Sequence, residues 1–165
     1  MYQQAVIKQT LYFLQLASDA FGENFDLPEI RFDLSGKAAG YFKCFSNGHC
    51  LINYNPGLLL KNKDDFIGRT VPHEVAHMVA YLLHGKKIRP HGDEWKAVMK
   101  VFVADPSRCH DYDVSGIKTR QYRRYLYQCS CRSHQLTSIR HNRVMSGLRY
   151  ICKQCNQQLS FQRPT

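Results

Sequence analysis

Apolar positions recur near helical spacing at the start of the chain: Ala5, Val6, Tyr12, Phe13, Leu16, Ala17, Ala20 and Phe21, with Gln9 in the same stripe. This spacing predicts an amphipathic helix over residues 2–21 that ends at Gly22. After Pro28 the period shortens to alternation over 29–34, 38–45 and 49–54, with Ser35-Gly36 and Asn47-Gly48 between the runs. Three short strands are expected, and Asn-Gly marks a hairpin turn. Asn55-Pro56 ends the strands, and Asp64-Asp65 place carboxylates in the first turn of a helix running to about His84, before Gly85. A further helix is expected over 93–104, stopped by Pro106. From Tyr122 onward, aromatics, arginines and cysteines fall in short segments around Ser146-Gly147 and Asn156, predicting a small β-rich ribbon that needs a staple to hold together.

At 165 residues there is room for one main core and a small appendage. No apolar run approaches the roughly 20 residues a spanning helix needs, so no membrane segment is expected. The first residues lack the basic, apolar and small-residue succession of a secretory signal, and a cytoplasmic location is expected by default. Charge divides the chain sharply. Residues 1–116 hold 13 basic and 13 acidic side chains, whereas 117–165 hold ten basic side chains and no Asp or Glu. The whole formal excess of +10 therefore sits in the tail.

The string His73-Glu74-Val75-Ala76-His77 lies inside an apolar helical pattern of Ile67, Val71, Ala76, Ala80 and Leu83. Helix positions i and i+4 stand about 40° apart and one turn along, so both imidazoles can face one ion. Glu74 follows the first ligand and can sit beside a metal-bound water as general base without being a ligand itself. Two histidines and a glutamate on a buried face would otherwise cost on the order of 1 to 3 kcal/mol each if left unpaired. A catalytic zinc needs a third protein ligand and one open position. His84, His91, Asp93 and Glu94 are the nearby candidates. His84 lies roughly 10 Å further along an unbroken helix. His91 follows the break from Gly85 to Pro90, which lets the chain turn back, so His91 is the expected ligand and Glu94 the runner-up.

The seven cysteines cannot all pair within the chain, and four crowd into the last 40 residues. In a reducing compartment that clustering reads as a metal site. Cys152-Lys153-Gln154-Cys155 pairs with Cys129-Ser130-Cys131-Arg132-Ser133-His134 about 20 residues earlier, the spacing of a zinc ribbon. Five candidates, Cys129, Cys131, His134, Cys152 and Cys155, compete for four places. Cys44, Cys50 and Cys109 are expected to be plain buried or half-buried thiols, and His49, His84, His110 and His141 are given no special role.

Val71-Pro72-His73-Glu74-Val75-Ala76-His77 followed by Pro90-His91-Gly92-Asp93-Glu94-Trp95 resembles the signature of SprT-like metallopeptidases, whose third ligand comes from an H-G-x-E-[FW] element. Leu51–Leu60, Tyr127–Leu136, Arg140–Val144 and Tyr150–Cys155 also resemble bacterial SprT proteins, so the likeness covers nearly the whole chain. It favours His91 as third ligand and Cys129 as a ribbon ligand. It implies an α+β fold: a zincin-like minimal metallopeptidase core over 1–116 and a basic C-terminal β zinc ribbon over 117–165, with one catalytic and one structural zinc. The family includes the Spartan proteases, which cut proteins crosslinked to DNA, and that suggests a substrate class.

The tail's cations, Lys118, Arg120, Arg123, Arg124, Arg140, Arg143 and Arg149 among them, are interleaved with Tyr122, Tyr125, Tyr127, Tyr150 and Phe161. This mixture suits phosphate contacts and base stacking, so DNA is the expected partner beside a protein or peptide substrate. Hydrolysis is expected on a peptide laid along a strand edge near residues 49–54. A different reading is a non-catalytic nucleic-acid-binding regulatory protein with structural zinc. Zinc hydrolysis of a non-peptide substrate is a third.

Overall fold

The computed structural model describes residues 2–117 and 122–162. The chain forms two compact units, Met1–Thr119 and Arg120–Thr165. Among the described residues no helix is long and apolar enough to cross a membrane.

The first unit opens with helix α1, Tyr2–Phe21, whose buried stripe is Val6, Thr10, Phe13, Leu14 and Ala17. Tyr12 lies outside that stripe and is half exposed, so the helix is rotated slightly from the sequence expectation. Gly22 ends it with a left-handed φ of 70°. Three strands follow: β1 (Glu29–Arg31), β2 (Gly40–Cys44) and β3 (Cys50–Tyr54). β2 and β3 form the expected antiparallel hairpin, with Gly48 at φ 84° in its loop. β1 pairs parallel to β3, giving the order β1-β3-β2.

That order corrects the expected substrate edge. Within 49–54, β3 (Cys50–Tyr54) is the central strand, with ladder partners on both sides and all five of its residues buried. The strand of the hairpin with only one paired edge is β2.

Helix α2 spans Pro56–His84 and starts earlier than Asp64-Asp65 suggested. Asn55 both ends β3 and caps α2, its side chain accepting from the N–H groups of Gly57 and Leu58. Pro56 occupies the first turn, where its missing N–H is harmless. The expected start survives as a break: Lys63 has φ 40°, ψ −109°, and a second helical run continues from it. Pro72 lies inside that run, one residue before His73, and removes one helix hydrogen bond beside the site.

Helix α3, Asp93–Val101, places Asp93 and Glu94 in its first turn and buries Trp95, Val98 and Met99. It is shorter than the expected 93–104 because Val103 enters the left-handed region at φ 50°. Its N–H bonds to Lys100 O and that of Ala104 to Met99 O, the paired closure of a Schellman motif. The core gathers α1, β3, α2 and α3 around Ile52, Tyr54, Phe66, Val75, Met78, Trp95 and Met99.

The second unit has a sheet ordered β5-β4-β6, from β4 (Arg124–Gln128), β5 (Ser133–Thr137) and β6 (Ser160–Phe161). Its small core is Tyr127, Cys129, Leu136, Cys152 and Leu159. The ribbon also contains a helix, α4, Ser138–Met145, that the strand-like texture did not suggest. The architecture is thus mixed helix and sheet with a C-terminal zinc-ribbon domain.

Candidate metal centres

The two histidines of α2 lie one turn apart, and the loop before α3 brings a third against them. His91 itself adopts φ 58°, which turns the chain back over the helix. Its Nε2 lies 3.1 Å from that of His77 and 3.0 Å from that of His73, and the His73 and His77 nitrogens are 3.2 Å apart. Three neutral imidazole nitrogens cannot satisfy one another in a triangle, since each offers either one proton or one lone pair. The arrangement fits a shared cation instead: three nitrogens about 2.0–2.1 Å from a tetrahedral zinc would stand about 3.3–3.4 Å apart. Glu94, the rival ligand, is not among the groups that converge.

Burial keeps these rings neutral. Desolvation, with the charge of His91 adding to it, lowers His73 to about 4. Desolvation and then the neighbouring His73 take His77 to about 3. His91 is lowered by desolvation and by the Arg108 guanidinium. Neutral imidazole is the form that coordinates metal.

Trp95 forms the floor of the cluster. Its indole is 1% exposed, its ring centroid lies 4.9, 5.5 and 4.8 Å from those of His73, His77 and His91, and its Nε1–H donates to His73 O at 3.3 Å. The sequence reading placed Trp95 in the motif without assigning it this part.

Glu74 lines the same cavity of about 530 Å³ as the three histidines, yet its residue is only 6% exposed. Burial pushes its carboxyl up to about 8, partly opposed by the backbone N–H of Phe42 on β2. The strand approaches closely enough that a Cβ at Gly40 would stand 2.8 Å from Glu74 Cγ and 3.0 Å from Oε1. Gly40 was missed in the sequence, although a glycine inside a strand pattern is a signal of close approach. The cavity's far wall is the segment 105–112. There His110 donates from Nε2 to Lys37 O at 2.9 Å, stacks on Tyr112, and Tyr112 shares a hydrogen bond with Thr70 at 2.9 Å. Cys109 also lines the cavity and is exposed, contrary to the buried or half-buried position expected.

In the ribbon the four thiols of Cys129, Cys131, Cys152 and Cys155 lie within 4.8 Å of one another. Two of the separations, Cys129–Cys131 at 3.4 Å and Cys131–Cys152 at 3.7 Å, approach the about 3.8 Å expected of thiolates around one tetrahedral zinc. His134 stands beside this set, its Nε2 3.3 Å from Cys129 Sγ, and is not part of it. Backbone N–H groups of Cys155 and Gln154 lower Cys152 to about 5, and that of Gln157 lowers Cys155. The 152–155 knuckle therefore favours thiolates, whereas hydrogen bonding to Cys129 pushes Cys131 up to about 12.

Of the expected nucleic-acid contacts, Lys118 and Arg120 lie outside the described residues. Arg123, Arg124, Arg140, Arg143 and Arg149 are all exposed. The interleaved aromatics divide. Tyr127 is fully buried in the ribbon core and is not available to stack on a base, which corrects the expectation for that residue. Tyr125 lies flat on His141 at 3.7 Å with Arg123 over its ring, and Arg140 lies over Tyr150.

A helix-and-sheet unit with three converging histidines, followed by a four-cysteine ribbon, defines a protein with two candidate metal centres. Residues 10–111 match the SprT-like family and residues 123–163 the SprT-like zinc ribbon domain. The chain is 39% identical to protein SprT of Pseudomonas syringae pv. tomato, over all of this chain and 98% of the relative. It is 40% identical to protein SprT of Pseudomonas savastanoi pv. phaseolicola, over 92% of this chain and 90% of that one. With protein SprT of Pasteurella multocida the identity is 42%, covering 90% and 87%. No solved structure matches. The chain belongs to the SprT-like family.

Proposed function

We propose that this chain is a zinc-dependent metallopeptidase acting on proteins associated with or crosslinked to DNA, with one catalytic and one structural zinc. The observation that carries the reading is Glu74: a buried carboxyl on the cavity wall, adjacent in sequence to one of three converging imidazoles, with no cationic side-chain partner among the described residues. A structural metal site has no need of such a group.

His73, His77 and His91 would hold the catalytic ion, and Cys129, Cys131, Cys152 and Cys155 the structural one. Zinc bound by three histidines supplies Lewis-acid polarisation of a carbonyl and brings the pKa of water near 7. Glu74 takes up the proton released when water adds to the peptide carbonyl and returns it to the departing amine. Burial raises the pKa of this carboxyl, and a cation held by the three imidazoles beside it would favour its charged, proton-accepting form.

β2 supports a place for the substrate backbone. Its inner edge is paired to β3, and the Phe45 N–H to His49 O bond at 2.9 Å fixes the alternation of the ladder. By that alternation the peptide groups of Gly40 and Phe42 face away from β3, with the Phe42 N–H held by Glu74 and the carbonyls left for an incoming strand. An extended peptide could add along this edge as a further strand. The exposed arginines of the ribbon supply a sequence-tolerant attraction to phosphate, bringing the peptidase to DNA-bound protein.

The test is Glu74→Gln against the wild type on an unstructured protein substrate, with and without single-stranded DNA, with zinc per chain measured for both. The expected result is unchanged zinc content and cleavage lost by at least 10²-fold. A Gln variant that keeps zinc and cleaves at the wild-type rate would refute the assignment. A wild type that binds DNA and zinc but cleaves nothing would favour the regulatory reading.

A further inference from the structure

Outside the histidine cavity and the ribbon, one pair of thiols among the described residues is left without a part. Cys44 and Cys50 stand directly opposite each other at the turn end of β2 and β3, with their Sγ atoms 3.3 Å apart. The adjoining pair, Phe45 and His49, carries a backbone hydrogen bond, so Cys44 and Cys50 form a non-hydrogen-bonded pair. Such pairs have the closer side chains, with Cα atoms about 4.5 Å apart, inside the about 4.4–6.8 Å that a disulfide accepts. Bonding requires the sulfurs to close to about 2.05 Å, which χ1 rotation can supply within an intact ladder.

The surroundings give the two thiols different parts. Cys44 is half-buried, and the Tyr81 hydroxyl on α2 reaches it. Cys50 is buried, and desolvation together with the hydrogen bond to Cys44 pushes its thiol up to about 12. A reagent arriving from solvent therefore meets Cys44 first, and Cys50 is placed to resolve the adduct.

We propose that Cys44 and Cys50 are a redox-active dithiol, converted to a cross-strand disulfide by a low-molecular-weight disulfide such as oxidised glutathione. The Cys44 thiolate bonds to one sulfur of the reagent, whose S–S bond breaks and releases one thiol after protonation. The Cys50 sulfur then bonds to Cys44 Sγ, its proton passing to the glutathione sulfur that leaves as the mixed disulfide breaks, which releases the second thiol. Two protein thiols are oxidised and one small disulfide is reduced to two thiols. The staple would tie down the strand that carries Phe42 at its middle and Gly40 at its other end against Glu74, linking the oxidation state of the hairpin to the wall of the cavity. The chemistry itself does not depend on the chain being a peptidase.

The test uses the full zinc-loaded chain, so that the ribbon thiols are held by metal. It is incubated with oxidised glutathione, quenched with acid, alkylated and digested with trypsin. Cleavage after Lys43 and Lys61 gives one peptide, Cys44–Lys61, that contains both thiols. The expected product has lost two hydrogens and both alkylation sites, and dithiothreitol restores them. Cys50→Ser should instead stop at a glutathione adduct on Cys44. The exposed Cys109, which has no thiol neighbour among the described residues, should stop at an adduct in either protein. A wild-type peptide that takes two alkyl groups would overturn the proposal. So would one that keeps glutathione on Cys44 with Cys50 alkylated.

Discussion

Replacing Gly40 by alanine adds one methyl group where β2 passes Glu74. That carbon would stand 2.8 Å from Glu74 Cγ, 3.0 Å from Oε1 and 3.2 Å from Cδ. The first contact is closer than carbon atoms tolerate, so either the strand or the glutamate must shift. Cγ is tied to the helix backbone through Cβ alone, which leaves little freedom to swing aside without moving the carboxyl. Moving β2 instead would strain its ladder to β3 from Gly40 to Cys44. Overpacking of this kind costs about 1–3 kcal/mol. For a unit of this size each kcal/mol lowers the thermal midpoint by about 3–5 °C. If the glutamate gives way, a displacement on the order of 1 Å costs turnover about 10²-fold.

The assay pairs a thermal melt with cleavage of an unstructured protein and with zinc content per chain. Zinc should stay at the wild-type level, because the atoms nearest to a Cβ at Gly40 belong to Glu74 and not to His73, His77 or His91. Gly40 is not in the left-handed region, so a loss would come from the added methyl rather than from backbone strain. Gly68→Ala is the control: its Cβ meets nothing within 4 Å, and replacing a helical glycine should stabilise by up to about 1 kcal/mol. A Gly40→Ala protein with a midpoint within about 1 °C of wild type and turnover within about twofold would refute the close-approach argument, since overpacking should exceed both margins.

Val103→Gly should stabilise the protein by about 1 kcal/mol, read as a higher thermal midpoint, because a β-branched residue holds the left-handed closing position of α3 while 93% exposed. Trp95→Ala should cost about 3–5 kcal/mol and lower zinc retention, since it removes both a core side chain and the floor under three imidazoles. Thermal melts and metal analysis check both effects, and full zinc retention would show that the histidines hold their positions without the indole. Arg123→Ala/Arg124→Ala should weaken binding to single-stranded DNA and flatten the plot of log affinity against log salt by about 1.4, leaving cleavage of a free peptide unchanged. An unaltered salt slope would remove these residues from the DNA surface.

What was legible in the sequence follows from how local the determining physics is. His73 and His77 share a face because helical geometry alone sets it, and the break from Gly85 to Pro90 was enough to expect His91 to return. The hairpin at Asn47-Gly48 was equally local. Other features hid where one residue served two elements: Asn55 ends a strand and caps a helix, so the first turns of α2 read as a boundary. α4 gave little signal because it is only about two turns long, buries no residue fully and meets the ribbon core through half-buried Val144 and His141.

The remaining misses concern which element neighbours which. Alternation along 49–54 predicts a strand without saying whether one or two others flank it. That depends on β1 pairing parallel across more than 20 residues of chain, Glu29 with Leu51. The same applies to Gly40. Its presence in a strand signals that something comes close, but only the tertiary fold identifies that something as Glu74. The edge moved from β3 to β2 and the unexplained glycine are therefore one fact seen twice. β2 is free to line the cavity because β1 occupies the other side of β3, and it can approach Glu74 because residue 40 has no side chain. A substitution at Gly40 thus probes the strand order and the carboxyl's position together, which no change within the His73–His77 motif can do.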